Sequence, residues 1–166
     1  MNLARLIKPE LIRMELFTTT PPEPDEPYDR KRFVWSIKEE VIKELAEMVA
    51  SSGRVGNARK LYSDLINREK KASTGLSKGV AIPHVRTREA REFIMAFARS
   101  TPGLEFDCLD GDLAHLFFVF VAPPYDDMLY LKIYKQMAEA FAFHDAARAF
   151  REARDEGEIL RALKNM

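Results

Sequence analysis

Between Arg68 and Thr87 the chain reads REKKASTGLSKGVAIPHVRT, and His84 follows Pro83 directly. Proline locks its own φ, so an imidazole in the next position is held by its backbone rather than left to wave. Imidazole is nucleophilic at neutral pH, and its phosphoramidate remains a good leaving group. A held histidine therefore suits reversible phosphoryl transfer. That chemistry needs charge neutralisation, for which Arg68 and Arg86 are the nearby cations. The hydroxyls of Ser73, Thr74 and Ser77 and the amides around Gly75 and Gly79 are the neutral phosphate-binding candidates, the glycines allowing close backbone approach. From spacing alone, a surface-loop histidine is the competing reading.

The remaining chemistry-bearing residues are sparse. His115 lies in the apolar run LAHLFFVFVA and His144 at a helix junction, and neither is paired with Cys108 or carboxylates at metal-ligand spacing. No metal and no cofactor is called for, and a metal-dependent hydrolase built on His84, His115 and acidic residues lacks its ligand cluster. His115 reads as a structural histidine at the mouth of a strand, with the option that it stands beside His84. Cys108, in FDCLDGD, has no neighbouring base and reads as a packing residue.

The elements that must position these residues follow from composition and periodicity. Of 166 residues 46% are hydrophobic and 31% charged, the make-up of one globular domain spanning 1–166. Basic and acidic residues number 26 each, so no global field favours nucleic acid or an anionic membrane. The longest apolar run, Leu116 to Ala122, is far too short to insert into a bilayer, and with a single cysteine the expectation is a soluble, cytoplasmic protein.

From Thr18 to Arg32 the sequence TTTPPEPDEPYDRKR reads as a proline-rich loop, preceded by a segment, LARLIKPELIRMEL, whose apolar residues pack back onto the core. Ser36 and Glu39 have capping-box spacing, predicting a helix that starts there, runs through Ile37, Val41, Ile42, Leu45, Met48 and Val49, and stops at Gly53. A second helix covers ARKLYSDLINREK. EFIMAFARS alternates as a half-buried strand would, whereas LAHLFFVFVA is continuous enough for a strand covered on both faces. After Pro123 and Pro124, Asp126 or Asp127 caps a long helix with Tyr130, Ile133, Tyr134, Met137 and Phe141 on one face. Asp145 caps the next, Gly157 breaks it, and EILRALKNM closes the chain. Helices around an internal sheet make the fold α/β.

The stretch from Arg68 to His84 resembles the active-site signature of the fructose/mannitol-type EIIA domains of the bacterial phosphoenolpyruvate:sugar phosphotransferase system, nitrogen-regulatory EIIA proteins included. Arg68 and Glu69 at the end of a helix, the Ser73-Thr74-Gly75 turn, and Gly79, Val80, Ala81, Ile82, Pro83 and His84 carry the likeness. LARLIKPELI, FFVFVAPP and the closing helices extend it over most of the chain, leaving the proline-rich insert as an addition. The resemblance implies a mixed central sheet flanked by helices on both faces. It implies that His84 accepts a phosphoryl group from an HPr-like phosphocarrier and passes it to a cysteine on an EIIB component, with Arg68 beside it.

Many members of that family carry a second histidine at the start of the long helix, where this chain has Tyr130. A phenol can donate a hydrogen bond to a phosphoryl oxygen but stays neutral near pH 7. Tyr130 also reads as an ordinary core aromatic, since Tyr134 shares its helix face. Val85 and Ser77 stand where the family favours glycine. The expected function is a phosphocarrier for sugar uptake or regulation. The alternative is a regulatory module that keeps the fold and docks a target protein. Neither reading calls for nucleic acid.

Overall fold

A computed structural model of the chain describes residues 1–126 and 128–166. Its centre is β5 (Ala114–Ala122), in which every residue from Leu116 to Ala122 is fully buried, as a strand can be only inside a sheet covered on both faces. On one side β5 pairs antiparallel with β4 (Ile94–Leu104), and β1 (Ile7–Arg13) lies parallel to β4 at the edge. On the other side β2 (Val80–Ala81) and β3 (His84–Arg86) run parallel to β5. The sheet is mixed. The N-terminal segment does return to the core, as a short 3-10 turn at Leu3–Arg5 followed by β1. Pro9 is tolerated there because an edge strand leaves one row of amides unpaired, and the register with β4 shifts between Ile7 and Ile12.

The described residues include five helices: α1 (Arg30–Ser51), α2 (Ala58–Lys71), α3 (Met128–Phe143), α4 (Ala146–Glu152) and α5 (Glu156–Lys164). Successive residues of β5 point to opposite faces. Phe117 meets Phe106, a ring that also lies 5.1 Å from Lys38 Nζ of α1, while Phe118 meets Phe141 of α3 and Phe150 of α4. Helices therefore lie on both faces, and burying a ring such as Phe118 stabilises the fold by about 1.5–3 kcal/mol relative to exposure.

Several boundaries differ from the sequence reading. Helix α1 starts six residues before Ser36, at Arg30, because Asp29 caps it by accepting from Arg32 N at 3.2 Å. Ser36 sits inside the helix and donates back to Phe33 O at 2.6 Å, so the loop ends before Arg30. β4 does not alternate: Ile94 to Ala98 are all buried, since helices cover this strand on both sides as well. Gly157 lies in the first turn of α5, and the break falls at Ala153–Asp155, where Asp155 caps α5 through Glu158 N. Asp145 occupies the position before α4 without making a side-chain capping bond. Asp126 Oδ1 accepts from Leu129 N at 3.1 Å, whereas Asp127 lies outside the described residues. Among the described residues no helix is long and apolar enough to cross a membrane.

Candidate functional site

β2 and β3 are strands because β5 offers them a ladder: Val80 and Ala81 sit opposite Leu116 and Phe117, and His84 to Arg86 opposite Phe120 to Ala122. Pro83 interrupts donation between them. Its carbonyl nevertheless accepts from Phe120 N at 3.0 Å, which sets His84 at the start of β3 with 8% of its surface exposed.

Both ring nitrogens of His84 have partners that can play one role only. Nδ1 lies 2.6 Å from Ile82 O, and a carbonyl can only accept, so Nδ1 carries the proton. Nε2 lies 3.4 Å from Arg68 Nη2, and a guanidinium can only donate, so Nε2 presents its lone pair. Arg68 is steadied by Nη1 donating to Ala72 O at 2.9 Å, across the end of α2. Burial pushes the His84 pKa below the ordinary histidine value and the Arg68 charge adds to this, against the opposing pull of the Ile82 carbonyl and Glu69. The imidazole is therefore neutral at pH 7, with its Nε2 lone pair facing Arg68.

Two tyrosines of α3 flank that ring, Tyr130 at 5.5 Å and Tyr134 at 5.1 Å between ring centres. Burial pushes the Tyr130 phenol up to about 12, so it stays a neutral donor. The Arg86 guanidinium lies 5.8 Å over the Tyr130 ring. Outward from Arg68, a groove of about 640 Å³ is lined by Lys60, Lys71, Arg86 and Arg88 with Asp64. Among the described residues of this lining the basic side chains outnumber the acidic one, and Lys60 is paired with Asp64.

The structure thus brings together His84, Arg68, Tyr130 and Arg86. Ser73, Thr74 and Gly75 are close in sequence but otherwise engaged. Thr74 Oγ1 donates to Glu69 Oε2 at 2.6 Å and Ser73 Oγ to the carbonyls of Phe106 and Asp107, so neither hydroxyl proton is aimed at His84. Gly75 is a close approach, where a Cβ would stand 2.7 Å from Phe106 O. Gly79 is at φ +77 beside His115 and Arg151, and the register along β5 puts its neighbour Val80 four residues, about 13 Å, from the position of His84.

His115 is no partner of His84, being five residues along β5 from Phe120, with Nδ1 against the carbonyls of Ser100 and Thr101. Among the described residues no group of His, Cys, Asp or Glu could hold a metal. Cys108 is buried and pushed up to about 12, a packing residue with no thiolate at neutral pH. Tyr134 was legible only as a core residue, although its position four after Tyr130 puts both on one helix face.

Residues 33–166 match the family model described as phosphoenolpyruvate-dependent sugar phosphotransferase system, EIIA 2. The chain belongs to this family. Its EIIA fold is shared with the nitrogen regulatory protein IIA-Ntr from Neisseria meningitidis, at a TM-score of 0.80 and 21% identity over 96% of this chain and 97% of that one. A solution structure of Escherichia coli enzyme IIA mannitol in complex with phosphorylated enzyme IIB mannitol superposes at a TM-score of 0.71, with 18% identity over 96% and 98% of the two chains. This EIIA chain is 30% identical over 118 residues to a fructose-specific EIIA component of Haloferax volcanii, 71% of this chain and 77% of that protein. It is 29% identical over 123 residues to a fructose-specific EIIABC component of Bacillus subtilis, 74% of this chain, and the match spans only 19% of that longer protein.

Proposed function

We propose that this chain is a histidine phosphocarrier, a single domain over 1–166 in which His84 accepts a phosphoryl group from an HPr-like donor and passes it to an EIIB component. The observation that carries this reading is the fixed tautomer of His84, with Nδ1–H on Ile82 O and the Nε2 lone pair facing Arg68. The Nε2 lone pair attacks phosphorus, an N–P bond forms at Nε2, and the N–P bond of the donor histidine breaks with its electron pair returning to the donor ring. Nδ1 keeps its proton on the Ile82 carbonyl, so the phosphorylated ring is an imidazolium and a good leaving group for onward transfer. Arg68 neutralises the phosphoryl oxygens, Arg86 adds a second cation, and the Tyr130 hydroxyl is a neutral donor. Ser73, Thr74 and Gly75 serve by shaping the segment that carries Ile82, and Gly79 by letting that segment turn. Family membership supports the phosphocarrier role, and the IIB complex of the mannitol relative supports an EIIB component as a partner. The cytoplasm is the compartment in which this exchange takes place.

The test is incubation with phosphoenolpyruvate, the general phosphotransferase enzyme and HPr, followed by intact mass and acid treatment. An acid-labile adduct on the wild type that is missing from His84→Ala is the expected result. An unmodified wild type, under conditions that label a conventional EIIA, refutes the reading.

A second reading is favoured by one observation: two tyrosines flank His84, where many relatives supply a second imidazole. On that reading the chain is a regulatory module that docks a target protein. Target capture that is unchanged by His84→Ala and His84→Asp separates docking from phospho-control.

A further inference from the structure

Lys38 is among the largest of the fully buried side chains, a lysine 2% exposed on the apolar face of α1. Its Nζ lies 2.9 Å from Glu69 Oε1, whose side chain is 1% exposed, and 3.1 Å from Asp107 Oδ2. A buried charge pair is expensive in desolvation and rarely adds stability over apolar packing, so its presence asks what it holds in place. Glu69 accepts two further hydrogen bonds, from Thr74 N at 2.8 Å and Thr74 Oγ1 at 2.6 Å. Thr74 O then accepts from Ile82 N at 3.0 Å, and Ile82 O accepts from His84 Nδ1 at 2.6 Å. From the other side, Ser73 is tied to Phe106 and Asp107, the residue that Lys38 also holds and that sits at φ +50.

Glu69 directly follows Arg68 on α2. The two neighbours therefore act on the two nitrogens of one imidazole, Arg68 by touching Nε2 and Glu69 through three hydrogen-bonded steps to Nδ1. We propose that the buried Lys38–Glu69 pair is a positioning device for His84, fixing Thr74 and Ile82 so that Nδ1 holds the proton and Nε2 faces Arg68. This inference takes from the phosphocarrier reading only that Nε2 is the reacting atom. Lys38 and Glu69 are positioning residues. A network of this kind is satisfied only while every member keeps its partner.

The test is the tautomer of His84 read from long-range proton–nitrogen correlation spectra of ¹⁵N-labelled protein above the His84 pKa. The wild type is expected in the Nδ1–H form, and a wild type in the other tautomer overturns the proposal. Lys38→Met leaves the Glu69 charge uncompensated and is expected to change the tautomer ratio at least about threefold. Adding Glu69→Gln restores a neutral acceptor for Thr74 and is expected to return the ratio to the wild-type value. An unchanged ratio in Lys38→Met, or one that Glu69→Gln does not rescue, means that Lys38 only packs and overturns the proposal.

If Lys38→Met alone does not fold, the comparison is Lys38→Met/Glu69→Gln against Lys38→Met/Glu69→Leu. The first is expected to keep the wild-type ratio and the second to lose it, and equal ratios overturn the proposal. Failure of the wild type to take up phosphate counts against the phosphocarrier reading alone, because the tautomer is measured without any donor.

Discussion

His84 and His115 sit at two points along one strand ladder, and each sets Nδ1 against backbone carbonyl oxygen. The second nitrogen separates them. Nε2 of His84 meets the Arg68 guanidinium inside a wall of two tyrosines, beside a groove in which, among the described residues, cations outnumber acids. Nε2 of His115 instead packs on Gly103, where a Cβ would come within 2.9 Å, beside a cavity lined by Asp112, Asp145 and Glu152 as well as Lys78, Arg148 and Arg151. A carbonyl on one nitrogen fixes a tautomer; only a cation aimed at the other turns the fixed tautomer into an anion acceptor. The same residue type in the same fold faces a cation at one place and only packs at the other.

The contrast is broken most directly by removing each ring. His84→Ala is expected to lower phosphoryl labelling by at least about 10³-fold. His115→Ala should leave it within about twofold, because that ring lies five residues along β5 from the register position of His84. Intact mass after a timed reaction with phosphoenolpyruvate and HPr reads both, and equal losses would end the distinction.

The cations come next. Arg68→Met is expected to slow labelling about 10²-fold, the usual cost of losing one charged donor to developing charge. Arg151→Met, which removes the guanidinium donating to Lys78 O at 2.8 Å, should leave the initial rate unchanged.

The His115 end is sharpened through stability instead. Gly103 has φ +83, and a Cβ there would lie 2.7 Å from His115 Cε1, so Gly103→Ala is expected to destabilise the protein by about 1–3 kcal/mol in urea unfolding with labelling intact at low denaturant.

The smallest effect is pH linkage. His84 takes its proton at a lower pH in the folded than in the unfolded chain. Its contribution is therefore whole above the unfolded histidine value of about 6.5 and is lost as pH falls from there through the folded value. Urea midpoints should drop over that window in the wild type and less steeply in His84→Ala.

Much of this contrast is legible in the order of the residues alone. Pro83-His84, Arg68 and the apolar run of β5 are local features, and the resemblance carried by residues 68–84 extends to the whole fold. What escapes such a reading depends on contacts between distant segments. β2 and β3 are too short to show a period of two and exist because β5 pairs with them. β4 reads as alternating until helices cover both its faces. Ser36 and Asp29 both fit a capping residue, and Phe33 and Val34, buried one turn earlier, favour Asp29. The hydroxyls of Ser73 and Thr74 look available because their acceptors, Phe106, Asp107 and Glu69, come from other segments. Lys38 does leave a trace, a lone lysine with Val41, Ile42 and Leu45 on an apolar stripe, but the carboxylates that explain it are far along the chain.

Trp35 is the only tryptophan in the sequence, and its ring centre lies 5.5 Å from Lys38 Nζ, the ammonium that joins α1 to Glu69 and Asp107. Indole emission responds to a nearby charge, so the protein carries an intrinsic fluorescent reporter at the buried end of the chain of contacts leading to His84. A shift in that emission when phosphate arrives would register, without any label, a disturbance passing from the imidazole to the far side of the sheet.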